Sequence, residues 1–212
     1  MEVPVELQPI VKDFLSRTRP MSGNALRPFV LGIIGNIGSG KSTVANFLVH
    51  ELPGSVVVSA NSARYLLKEA GLPWGDNVKT VVRAVVGELL KQGSTVILDG
   101  ATTENEERAE LQKLASARNI PVRYVRIVTD FASCRERTKA RYEDASWQSS
   151  FEKFRVNTTE KMLANLAERQ KVHDALKDSD IDGLFATISN DGTLTELGVK
   201  AHTLAHQLLG SL

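Results

Sequence analysis

The stretch Gly35-Asn36-Ile37-Gly38-Ser39-Gly40-Lys41-Ser42-Thr43 has the spacing G-x-x-x-x-G-K-S and lies between the apolar run FVLGII and the helical pattern VANFLVHEL. A loop that wraps a phosphate needs unusual backbone angles and room for its amides to approach the anion, and glycine supplies both. In that setting Lys41 is a point charge for the β and γ phosphates, the Ser42 hydroxyl is a magnesium ligand, and Thr43 adds a hydroxyl near the α phosphate. The positive end of the helix that follows favours the same anion. All nine residues are candidate nucleotide-binding residues, with a nucleoside triphosphate and Mg2+ as the implied ligands.

A second group belongs with them. STVILDG ends an apolar run in Asp99. In an open parallel sheet ligands gather beyond the carboxyl ends of the strands, so Asp99 is expected beside Lys41 and Ser42, orienting magnesium directly or through water. Its plainer reading is a strand-end turn acid. The next residue is Gly100 rather than a glutamate that would position attacking water, and no N-K-x-D motif for base recognition occurs. Transfer to an acceptor is therefore expected over hydrolysis or a GTPase switch.

This constellation requires strands whose carboxyl ends lie side by side, and the sequence provides them. Short β-branched runs, FVLGII, SVVVS, STVILD, VRYVRIV and GLFATIS, alternate with helical patterns near 41–51, 62–70, 78–92, 104–118, 131–142, 152–177 and 194–209. Apolar strands separated by helices imply a parallel sheet covered on both faces, a three-layer α/β/α sandwich with five parallel strands. Thr103 with Glu106 forms a capping-box pattern, Asp130 can cap the helix starting at Phe131, and Gly93 lets the chain turn into STVILD. Leu7, Ile10, Val11, Phe14 and Leu15 fall at helical spacing, so the first twenty residues read as an amphipathic helix packed on the core, followed by the connector RPMSGNALRP.

Composition bounds the remaining readings. The chain has 212 residues with 42% hydrophobic and 24% charged, the usual globular balance, and a formal net charge of +1 that gives no support to a broad duplex-binding surface. The single cysteine, Cys134, cannot form an intramolecular disulfide, and no Cys/His cluster has zinc-like spacing. The start MEVPVELQPIVKDFLSR does not read as a signal peptide, and no run approaches a membrane span. A cytoplasmic protein with no membrane partner is expected.

Four segments, GNIGSGKST, VSANSAR, ILDGATTENEER and CRERTKAR, together resemble the small P-loop kinases of the polynucleotide-kinase and zeta-toxin type, within the adenylate-kinase-like group. The resemblance implies an ATP-dependent phosphotransferase with a P-loop NTPase fold and a helical lid over about residues 131–160. It divides the chain into a helix and connector (1–28) and a kinase domain (29–212). In such kinases the segment after the second strand reads Ser-x-Asp-x-x-Arg; here Ser59, Asn61 and Arg64 stand in those places, and an amide orients a hydroxyl but cannot take its proton. Asn61 equally suits a helix N-cap. The family's Asp-x-Thr-Asn, followed after five further residues by a helical arginine, aligns with Asp99 and Arg108 here, with Ala101 and Thr102 replacing the Thr-Asn pair. Asn61, Arg64 and Arg108 are thus implied acceptor-binding residues, although Arg108 also fits an exposed helical arginine paired with Glu104.

Arg137 and Arg141 share one helical face, where the resemblance implies lid arginines that stabilise charge on the transferred group; a solvated face laced with Glu136 and Glu143 is the alternative. Trp147, Phe151 and Phe154 follow; most of them read as packing residues, with flanking an acceptor as the other reading, and the resemblance implies Asn190, Asp191 and Gly192 as candidates for a wall beside the base. His50, His173, His202 and His206 show no catalytic pairing; His202 and His206 share a helical face and read as ordinary surface or core residues. The expected catalytic set is Lys41, Asp99, Arg137 and Arg141, with Ser42 and Asp99 on the metal. The acceptor is a hydroxyl or phosphate of a nucleotide, nucleic-acid end or other small molecule. Two further readings stay open: a nucleotide-binding regulatory switch with little chemistry, and a simple ATPase.

Overall fold

The computed structural model describes residues 3–22, 27–144, 146–147 and 149–211. Strands β1 (Val30–Ile34), β2 (Ser55–Ser59), β3 (Thr95–Asp99), β4 (Val122–Val128) and β5 (Leu184–Ser189) are all parallel, in the order β2-β3-β1-β4-β5. β1 and β3 are buried along their whole length, so both of their faces must be apolar. The period of two survives in which core each residue enters. Val30, Ile34, Val96, Leu98, Val122 and Tyr124 join one cluster, while Leu31, Ile33, Ile97, Val125 and Ile127 join the other.

Helices α1 (Gln8–Arg17), α3 (Ala60–Glu69), α4 (Asp76–Lys91) and α5 (Asn105–Ser116) contribute to the first cluster through Phe14, Leu66, Val81 and Leu111. Helices α2 (Lys41–Glu51) and α8 (Leu194–Gly210) fill the second through Leu48 and Leu204. Helices α6 (Phe131–Glu143) and α7 (Thr159–Ala175) pack on each other, α6 following the carboxyl end of β4. The architecture is the three-layer α/β/α sandwich read from the sequence. No helix among the described residues is long and apolar enough to cross a membrane.

Local chemistry sets the boundaries and corrects several of them. Asp130 accepts a bond from Ser133 N at 2.9 Å, as its position before α6 predicts, and Gly93 turns the chain with φ +74. The capping box of α5 is Glu104 with Glu107, one residue later than the predicted Thr103–Glu106 pair. α7 begins at Thr159 instead of near 152, because Thr158 caps it by accepting from Lys161 N. The residues before it are not helical: Phe151 meets Phe14 edge-on at 5.1 Å, and Phe154 meets Tyr65 at 5.7 Å and Trp74 at 6.0 Å. Their apolar spacing reflects insertion between α1, α3 and the turn before α4.

α1 packs its Ile10, Val11 and Phe14 face against α3 and α4, with Leu7 of the preceding turn also buried. Part of the connector, residues 23–26, lies outside the described residues; before that gap Met21 N donates to Ser55 O at 2.9 Å, at the start of β2. Truncating Phe14 to alanine should lower the unfolding free energy by about 3–5 kcal/mol, the usual cost of removing a buried aromatic. Val5→Ala, at a side 78% exposed, should change it by less than about 0.5 kcal/mol. Urea unfolding of the two variants checks both values.

Candidate phosphate and acceptor site

Between β1 and α2 the chain makes one tight loop whose shape is fixed by its neighbours. Asn190 Nδ2 donates to Ser39 O at 2.8 Å, and Thr129 Oγ1 donates to the same carbonyl at 3.1 Å. Asn36 accepts from Ile37 N at 2.7 Å and donates to Gln170 Oε1 of α7 at 2.7 Å. Gly38 and Gly40 take φ of +76 and +97, and a Cβ on Gly40 would run into Asn190 Nδ2. Glycine is therefore required at position 40 both by backbone angle and by space. Asn190, expected at a base wall, instead braces the loop.

The helix that follows lacks a side-chain cap. Gly40 precedes α2 in a left-handed conformation and offers no side chain to its first-turn amides. α3, α6, α7 and α8 are capped by Ser59, Asp130, Thr158 and Thr193. Free amides at the positive end of a helix form a ready anion site. Lys41 folds back over the loop, its Nζ donating to Gly35 O at 2.9 Å and Asn36 O at 2.8 Å. Loss of solvent pushes this ammonium down to about 8, against the attraction of Asp99 and with help from Arg169 and Arg141.

Asp99 lies where its strand position predicts. The register pairs it with Ile33 on one side and Ser59 on the other, so β1, β2 and β3 end level. Its Oδ2 accepts from Ser42 Oγ at 2.7 Å and from Ser59 Oγ at 3.4 Å, and the residue is 8% exposed. A carboxylate and a hydroxyl held this close are hard oxygen donors of the kind Mg2+ selects, so Ser42 and Asp99 fit that ion.

Cations surround this centre on both sides. Following β4, α6 carries Arg137, whose Nη1 is buried without a hydrogen-bond partner among the described residues. One turn on, Arg141 lies over the Trp147 ring at 5.3 Å. Following β2, α3 carries Arg64, which donates to Asn61 Oδ1 at 2.8 Å. Burial, and then the charge of Arg169, hold the Arg64 guanidinium below the ordinary arginine range, with Glu107 and Asp99 opposing. Asn61 is not the N-cap of α3: Ser59 is, its Oγ accepting from Asn61 N.

Arg108, expected at the acceptor, occupies a different place. It is 6% exposed and donates to the carbonyls of Thr102, Thr103 and Asp180 and to Asn105 Oδ1. It ties the start of α5 to the chain ahead of β5, and Glu104 is not its partner. Conversely, Arg169 acts on both Lys41 and Arg64 although no motif indicated it. Its signal lay in α7 itself, where the buried positions Met162, Leu166 and His173 leave a helical step at Arg169–Gln170 that carries polar residues where the stripe calls for apolar ones.

Residues 30–169 match the family model described as an AAA domain. No curated protein matches the sequence. Among solved structures, a gluconokinase from Sinorhizobium meliloti 1021 superposes with a TM-score of 0.54 at 17% identity, covering 85% of this chain and 93% of that one. The Mycobacterium tuberculosis APS kinase, solved with AMPPNP and APS, gives 0.54 at 16% identity, covering 85% and 98%. These likenesses establish a shared fold.

Two measurements follow from the charges. Because Lys41 titrates near 8 before any anion binds, a polyphosphate must find the ammonium form. Its affinity is expected to hold from pH 7 to 8 and then fall by up to about tenfold per pH unit; calorimetry should show this slope, and Lys41→Met should remove it. His173 is 8% exposed, its Nε2 has no partner among the described residues, and burial, then Lys41, Arg169 and Arg126, push it down to about 4. The folded value lies below the unfolded one, so stability present above pH 6.5 is lost as pH falls towards 4, by about 3 kcal/mol. His173→Leu should remove that share of the acid sensitivity in urea melts.

Proposed function

The chain belongs to the AAA domain family, and from that premise we propose that it is an ATP- and magnesium-dependent phosphotransferase whose acceptor is a small anionic molecule. The reading is carried by the Ser42–Asp99 contact of 2.7 Å at the level strand ends, beside Lys41 and under an uncapped helix start. Support for ATP as donor comes from the neighbouring APS kinase, which was solved with AMPPNP. The names of both structural neighbours, gluconokinase and APS kinase, support a small-molecule acceptor.

The roles follow from the sheet order. β1 lies between β3 and β4, so α6 and α3 rise on opposite sides of the phosphate loop. Arg137 and Arg141 are on the α6 side with Lys41 and stabilise charge on the transferred group. Arg64 on the α3 side and Arg169 from α7 bring a second pair of cations, which suits an acceptor bearing a phosphate or carboxylate. Asn61 fixes Arg64 through its amide oxygen and is no base. A loose phosphoryl-transfer transition state depends chiefly on positioning and charge, so transfer does not require that base. Ser42 and Asp99 would hold Mg2+, which would supply positive charge to neutralise what develops on the transferred phosphoryl group.

Gly100, with φ +91, places no side chain after Asp99 to hold an attacking water. The finer resemblance to polynucleotide kinases and zeta toxins rests on motif residues, of which Asn61, Ala101 and Thr102 depart from the pattern. ATP turnover measured against sugar acids, nucleoside phosphates, neutral sugars, nucleosides and oligonucleotide ends tests the assignment. An anionic small molecule should accelerate turnover at least tenfold over acceptor-free hydrolysis. Arg64→Ala or Arg169→Ala should raise KM for that acceptor about tenfold while changing KM for ATP less, and Asp99→Asn should lower kcat about a hundredfold. Turnover indifferent to every acceptor would instead mark an ATPase; tight nucleotide binding without turnover would mark a regulatory switch; acceleration by oligonucleotide ends alone would mark a polynucleotide kinase.

A further inference from the structure

On the outer face of α8, His202 and His206 stand four residues apart, so both rings project from one side of the helix. Their Nε2 atoms are 3.1 Å apart, with ring centroids at 4.5 Å and planes at 74°. His202 Nδ1 lies 3.2 Å from Oε2 of Glu51, the last residue of α2. A neutral imidazole carries one N–H and one lone pair; with Nδ1–H donated to Glu51, the lone pair of His202 is on Nε2, facing His206.

This arrangement has the dimensions of a chelate. Two imidazole nitrogens about 2.05 Å from one cation and separated as observed would subtend about 98° there, between the square-planar and tetrahedral angles. Rings radiating from such an ion would have centroids about 5 Å apart, close to the observed spacing. The His202 side chain is 56% exposed, which leaves room for water to complete the coordination. Among the described residues no group of three or more His, Cys, Asp or Glu could hold a metal ion, so the pair supplies two ligands and solvent the rest.

We propose that His202 and His206 form a site for a divalent transition cation of the Cu2+, Ni2+ or Zn2+ type, with Glu51 as the positioning residue that fixes the His202 tautomer. Imidazole nitrogen selects these ions over Mg2+ and Ca2+, which prefer oxygen. The cation takes the place of the proton between the two rings, and His206 then carries its proton on Nδ1. Both ligands lie on α8, and the contact of His202 with Glu51, the last residue of the helix that Lys41 begins, places the site where α8 meets the far end of the phosphate-binding helix. The site is independent of the phosphotransferase reading.

Calorimetric titration of the full chain, without a polyhistidine tag and without nucleotide, with NiCl2 and then ZnCl2 tests this. One equivalent should bind, unaffected by excess Mg2+, and the melting temperature should rise. His202→Ala and His206→Ala should each weaken binding at least tenfold without altering the circular dichroism. Glu51→Ala should weaken it about tenfold, and Glu51→Gln, which keeps an acceptor for Nδ1–H, should restore most of the loss. Absence of saturable binding, competition by Mg2+, or undiminished affinity in His206→Ala would overturn the site; undiminished affinity in Glu51→Ala would overturn the positioning role.

Discussion

The contact between the Ser42 hydroxyl and the Asp99 carboxylate depends on strand register more than on either residue. Asp99 meets Ser42 because β1, β2 and β3 terminate level, with Asp99 paired to both Ile33 and Ser59. A slip of one residue in β3 would turn the carboxylate to the opposite face of the sheet. The alternating entry of strand residues into two apolar cores prevents that slip, since every side chain of β3 would change cores with it. The position of one polar pair is thus fixed by the burial of many apolar groups.

Charge is the complementary constraint. The loop holds its lysine against its own carbonyls, the uncapped amides of α2 point at the same space, and arginines approach from α3, α6 and α7. Like charges brought together out of water are destabilising unless an anion joins them. The neutral, buried His173 shows the same field acting on a bystander. A site assembled in this way favours its ligand partly through the repulsion that the ligand relieves.

Elements with a strong local signature were legible from the sequence. The P-loop, the five apolar strands and the Asp130 cap lie where pattern and turn chemistry put them, because each is decided within a few residues. The beginning of α7 was not legible, because Phe151 and Phe154 owe their apolar character to α1, α3 and Trp74, which are distant in the chain. Arg108 misled for a related reason. Its spacing suits an acceptor arginine, but its donors go to carbonyls of the turn before α5 and of Asp180, and no local pattern encodes that second partner. Arg169 was hidden in the opposite sense, a polar residue on a helical stripe whose partners lie in the loop and on α3.

The Phe14–Phe151 pair ties the amino-terminal helix to a segment 137 residues further along. Joining positions so far apart closes a long loop, with an entropic toll that grows slowly with length but is due before the contact forms. During synthesis the first helix therefore emerges well ahead of the aromatic ring it will touch. Its greasy face must wait, sheltered or exposed, until the 137 positions that separate it from that ring have appeared.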